Sequence, residues 1–172
     1  MTHPRILIAC IGNIFLGDDG FGPEVALRLA KRRLPPGVIL KDFGIRSLDL
    51  TYALLDTYDL VILVDACPRG GEAGSVYLIE PGQTGRPADI PVQLETHGMN
   101  PLSVLRMARS MGGARGRLLI VGCEPADLGS DEGGRMGLSE PVQSAIEEAI
   151  AMIEAQILKV SGEMRDAELQ PN

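Results

Sequence analysis

Ile6-Leu7-Ile8-Ala9-Cys10-Ile11-Gly12-Asn13-Ile14-Phe15-Leu16-Gly17-Asp18-Asp19-Gly20-Phe21-Gly22-Pro23 is the stretch that decides the fold. Ile6 to Ile11 is apolar without alternation, the pattern of a strand covered on both faces. Glycines then punctuate a loop, and Gly22-Pro23-Glu24 opens a helix, with proline early and an acid in the first turn. The loop between them carries Asp18 and Asp19 side by side. Two adjacent carboxylates on a tight loop repel each other unless a positive charge sits close, and a metal ion or a cationic substrate group is the obvious candidate.

Working outward, Leu60 to Val64 and Leu118 to Val121 repeat the unalternating apolar pattern and read as interior strands. Val38 to Phe43 and Ser75 to Ile79 are weaker strands. The short Gly70-Gly71-Glu72-Ala73-Gly74 turn suggests that the second of these returns antiparallel to its predecessor. Helical patterns fall between them. The first carries Val25, Ala26, Leu29 and Ala30 on one face and ends at Lys31-Arg32-Arg33, a charge run that suits a helix C-terminus better than a binding patch. The second runs from Ser47, a reasonable cap, to about Asp56. The third begins near Asn100-Pro101 and ends at Gly112-Gly113. The fourth starts at Ser139-Glu140-Pro141, and its stripe of Val142, Ile146, Ala149, Ile150, Ile153 and Ile157 reads as core. Strands alternating with helices predict an α/β fold: a three-layer α/β/α sandwich on a mostly parallel, mixed five-stranded sheet with one antiparallel strand. The expectation is a single domain over 1–160 and a flexible polar tail over 161–172.

Composition narrows the function. The chain has 172 residues, 45% hydrophobic and 23% charged, with a net charge of −7. An acidic protein without a basic cluster is not expected to bind nucleic acid or an anionic membrane. No apolar run approaches the ~20 residues of a membrane span, and no signal peptide is apparent, so the protein is expected in the cytoplasm. Three cysteines, widely spaced and without a CxxC pair, indicate neither a disulfide framework nor a zinc finger. GxGxxG and GxxxxGK[ST] are both missing, which argues against nucleotide binding.

Ligands of open α/β sheets bind beyond the carboxyl ends of the strands, where strand order reverses. Asp18 and Asp19 follow the first strand. Asp65 follows the third, and an acid beside so apolar a run is costly unless paired, capping a turn or bound to a cation. Of the two histidines, His97 lies in a loop just before the third helix. A carboxylate from the Asp18-Asp19 loop, Asp65 and His97, from three separate loops, would form an O, O, N set suited to a first-row divalent metal, with positions left open for substrate. A Cys67–His97 nucleophilic pair is the alternative within the same crevice.

Taken together, Gly12-Asn13, Gly17-Asp18-Asp19-Gly20-Phe21-Gly22, the apolar strand ending in Asp65, the His97 loop, Gly122-Cys123-Glu124-Pro125 and Gly137-Leu138-Ser139 resemble the hydrogenase maturation proteases over roughly Ile6 to Leu158. The resemblance implies an endopeptidase that trims the C-terminal extension of a [NiFe]-hydrogenase large-subunit precursor after a His or Arg close to the last metal-binding cysteine. It places the metal contacts on Asp19, Asp65 and His97, with Asp18 as a supporting residue or base. It implies nickel brought by the substrate, no organic cofactor and the large-subunit precursor as partner; a monomer is expected. Two departures from the family pattern are Cys10 in place of the first glycine of GxGN, and Asp42-Phe43-Gly44-Ile45-Arg46 where many members carry an Asp-Gly-Gly-Thr type loop. The competing functions are a non-enzymatic nickel-sensing checkpoint or chaperone for the same precursor, and a general metal-dependent hydrolase.

Overall fold

The computed structural model describes residues 3–81, 101–129 and 133–169. His97 lies outside the described residues.

Among those residues, five strands form one sheet in the order β2-β1-β3-β5-β4. β1 is Ile6–Ile11, β2 Val38–Gly44, β3 Leu60–Ala66, β4 Val76–Ile79 and β5 Arg117–Cys123. All neighbours are parallel except β4, which runs antiparallel to β5. The fold class expected from the sequence is therefore observed. β4 does reverse direction after β3, but β5 lies between them. The interior place goes to β5 because it is apolar on both faces, while the partly exposed β4 takes the edge.

Strand periodicity divides the core in two. Ile6, Ile8 and Cys10 of β1, Leu60, Ile62 and Val64 of β3, and Leu119 and Val121 of β5 face helices α1 (Phe21–Leu29) and α4 (Glu140–Leu169). Leu7, Ala9 and Ile11, with Val61, Leu63, Leu118 and Ile120, face α2 (Ser47–Ala53) and α3 (Pro101–Ser110). That is a three-layer α/β/α arrangement.

Arg32 of the basic run after α1 binds Glu154 of α4 at 3.1 Å and also contacts Glu147. It ties two helices together, so the run is a packing feature of this face. Ser47 is the first residue of α2 and not its cap: Arg46 holds the cap position, without a side-chain hydrogen bond. The chain beyond Ser161 is helical as far as Leu169, where a frayed tail was expected from the loss of the apolar stripe. Among the described residues no helix is long and apolar enough to cross a membrane.

Candidate functional site

β1 turns to β2 on one side while β3 lies on its other side, so strand order reverses between β1 and β3. The crevice at their carboxyl ends is where an open α/β sheet binds ligands. Residues Gly17–Gly20 form a 3-10 turn at this point, leading directly into α1. Gly22 lets the helix start close in: a Cβ there would stand 2.1 Å from the Ile11 carbonyl oxygen and 2.6 Å from that of Val64. No other residue fits so near two strand ends.

The turn presents its two carboxylates in different directions. Asp19 is 4% exposed, and its Oδ2 accepts the N–H of Asn13 at 2.9 Å. Asp65 is 2% exposed and sits within β3, which runs on to Ala66 where the sequence suggested an end at Val64. Its register partner on β5 is Gly122, so no side chain from that strand stands beside it.

Burial pushes the Asp65 carboxyl well above the usual range, and the charge of Asp19 pushes it further; a hydrogen bond from the Ala66 N–H opposes both only in part. Asp65 Oδ1 is buried without a hydrogen-bond partner among the described residues. A buried carboxylate oxygen in this state is costly, and a cation delivered to it removes that cost.

Asp18 belongs to a different environment. At 1% exposure, its Oδ1 accepts the Ser139 N–H at 2.6 Å. Its Oδ2 accepts the N–H groups of Ala126 at 2.8 Å and Asp127 at 3.0 Å, and the Ser139 hydroxyl at 2.9 Å. Its oxygens are directed at the connection between β5 and α4.

Glu124 was visible in the sequence only as part of a motif. It is 5% exposed and accepts the N–H groups of Arg69 at 2.9 Å and Gly70 at 3.1 Å and the hydroxyl of Tyr77 at 2.9 Å. The Arg69 guanidinium lies 5.2 Å over the Tyr77 ring. Glu124 thereby pins the segment that follows Asp65 to the β4–β5 edge. The β2–α2 turn borders the site from the other side, where Gly12 N–H donates to the Gly44 carbonyl at 3.0 Å.

Among the described residues, burial disfavours the cysteine alternative. Cys67 is buried, and burial followed by the Asp65 charge pushes its thiol up to about 11. Cys123 is pushed up to about 12, again chiefly by burial. Both shifts disfavour the thiolate, which is the form that attacks.

Asp19 and Asp65 are therefore brought together at the switch point, Asp18 faces away from it, and the third expected member, His97, falls outside the described residues. No group of three His, Cys, Asp or Glu side chains able to hold a metal is assembled among the described residues.

Residues 23–156 match the hydrogenase maturation protease family. The chain belongs to that family. It is 31% identical over 173 residues to the hydrogenase expression/formation protein HupD of Rhizobium leguminosarum bv. viciae, covering 98% of this chain and 83% of that one. It is 30% identical over 160 residues to a putative hydrogenase maturation protease of Methanocaldococcus jannaschii, with 92% and 100% covered. Among solved structures, the hydrogenase maturating endopeptidase HybD from E. coli superimposes with a TM-score of 0.77 at 25% identity, over 91% of this chain and 93% of that one. As a member of the hydrogenase maturation proteases, the protein is an endopeptidase.

Proposed function

We propose that this hydrogenase maturation protease removes the C-terminal extension of a [NiFe]-hydrogenase large-subunit precursor, and that it does so in answer to nickel already inserted into that precursor. The observation that carries the reading is the buried Asp65 carboxylate, with one oxygen lacking a hydrogen-bond partner among the described residues and Asp19 as its charged neighbour. Such a pair suits a divalent cation that arrives with the substrate. Asp19 and Asp65 supply oxygen donors and His97 the nitrogen, a set that fits a first-row divalent ion. Nickel held by both proteins would polarise a nearby carbonyl as a Lewis acid and orient the chain to be cut. Asp19 and Asp65 hold and position, and the pinned segment after Asp65 keeps its carboxylate in place.

Asp18 does not serve as the base in this reading, because its oxygens are engaged with Ala126, Asp127 and Ser139. The protein works in the cytoplasm as a monomer, with no organic cofactor and no membrane or nucleic-acid partner. The test is intact-mass spectrometry of a nickel-loaded precursor after incubation with the protein. Loss of the C-terminal extension supports the endopeptidase. A nickel-sensitive complex with an unshortened partner would instead identify a checkpoint or chaperone, and cutting of generic peptides would identify a general hydrolase.

A further inference from the structure

Asp19 hangs from the end of β1, through the Asn13 N–H that binds its Oδ2. Asp65 belongs to β3. A carboxylate pair that must share one ion needs its separation held to within a fraction of an ångström, and the Asn13 N–H ties Asp19 to the β1 side of the crevice. A tether to the β5 side comes from Asp18.

β5 pairs with β3 residue by residue from Leu60↔Arg117 to Ala66↔Cys123. The chain leaving β5 reaches Ala126 and Asp127, whose N–H groups both donate to Asp18 Oδ2. The backbone adds a parallel set of bonds: Asp18 N–H to the Asp127 carbonyl at 2.9 Å, Gly17 N–H to that of Arg135 at 2.7 Å, and Arg135 N–H to that of Phe15 at 2.8 Å. Ser139, immediately before α4, closes the knot with its N–H and its hydroxyl. A continuous path of paired groups thus runs from Asp65 through β3, β5 and the Ala126-Asp127 segment to Asp18, and so to its neighbour Asp19.

We propose that Asp18 is a positioning residue: it anchors the turn to the β5 side of the crevice and so fixes where Asp19 stands relative to Asp65. The inference rests on the proposed function for what the pair does, but not for how the pair is held. A full carboxylate is needed. In Asp18→Asn, the amide nitrogen would face the Ser139 N–H if it replaced Oδ1, and the Ala126 and Asp127 N–H groups if it replaced Oδ2. Either orientation opposes donor to donor.

The experiment compares wild type, Asp18→Asn, Ser139→Ala and Ser139→Thr in two measurements. Steady-state cutting of nickel-loaded precursor is read on the folded fraction below the melting temperature. Asp18→Asn is expected to lower kcat about 100-fold, the scale of a small misplacement, with KM unchanged within about threefold. Ser139→Ala is expected to lower kcat about 2- to 10-fold for one lost hydrogen bond, and Ser139→Thr, which keeps the hydroxyl, to restore it. Amide hydrogen exchange, read without any substrate, supplies the second measurement. The Asn13 N–H, held by Asp19 Oδ2, is expected to exchange faster in Asp18→Asn and in Ser139→Ala, while the Ile8 N–H in the middle of β1 keeps its wild-type rate. Asn13 exchange that is unchanged, or that rises only in step with Ile8, overturns the proposal, as does a kcat that stays at wild-type level. If wild type fails to shorten the precursor, the functional reading falls, and Asn13 exchange alone then decides the positioning role.

Discussion

Gly12 and Asp19 meet through their backbones: at φ +138° a Cβ on Gly12 would stand 1.9 Å from the Asp19 carbonyl oxygen. The end of β1 and the turn that carries the site are thus in direct contact, with no room for any side chain between them.

Gly12→Ala is therefore expected to push the turn away from β1, at a cost of about 3 kcal/mol or more from overpacking and an unfavourable φ together. Urea unfolding reads the stability, and cutting of the precursor should fall with it. Gly162→Ala is the control. Its Cβ would meet nothing within 4 Å, and in a helix the change should stabilise by about 0.5–1 kcal/mol.

Glu124 has a pH signature. Burial pushes its carboxyl up, but the N–H groups of Arg69, Gly71 and Gly70 and the Tyr77 hydroxyl together outweigh burial and hold it below the usual range. A depressed native value means that the ionised form stabilises the fold above the unfolded-state value of about 4.3. That contribution is lost as pH falls through the lower native value. Glu124→Gln is expected to cost about 1–3 kcal/mol at pH 7, the scale of hydrogen bonds to a charged group. The gap between the two proteins in urea unfolding should close as the pH drops below 4.

The three cysteines are free and buried, and burial pushes the Cys67 and Cys123 thiols up. Iodoacetamide at neutral pH should leave the native protein unmodified and active, with all the thiols reacting only after unfolding in denaturant. Rapid loss of activity on alkylation of Cys67 would restore a thiol mechanism.

Much of the fold was legible because β1, β3 and β5 are buried on both faces, which leaves an unbroken apolar signature that few other structures share. Strand ends were less legible. Asp65 lies within β3 although aspartate is a poor strand former; the pairing of Asp65 with Gly122 and of Ala66 with Cys123 carries the strand on. The extent of α4 was also hidden. Past Ser161 the apolar stripe fades, yet the helix continues without it, and the Ser161 hydroxyl donates to the Ile157 carbonyl within it.

The site was legible by position rather than by role. The strand-end rule pointed to the Asp18-Asp19 pair and to Asp65 as crevice residues, because it needs only the order of strands and loops. It could not separate Asp18 from Asp19, since the partners that distinguish them, Ala126, Asp127 and Ser139, are 108, 109 and 121 residues away. Glu124 escaped for the same reason: a glutamate at a strand end looks solvated until the Arg69-Gly70 backbone folds around it.

The measurement that bears most directly on the function is the initial rate of C-terminal shortening for nickel-loaded and nickel-free precursor, with wild type and with Asp65→Asn. Wild type is expected to cut the loaded precursor and leave the nickel-free form intact, and Asp65→Asn to cut the loaded form at least about 100-fold more slowly. Equal rates on the two precursors, or an Asp65→Asn protein as fast as wild type, would contradict a carboxylate pair that reads nickel carried by the substrate.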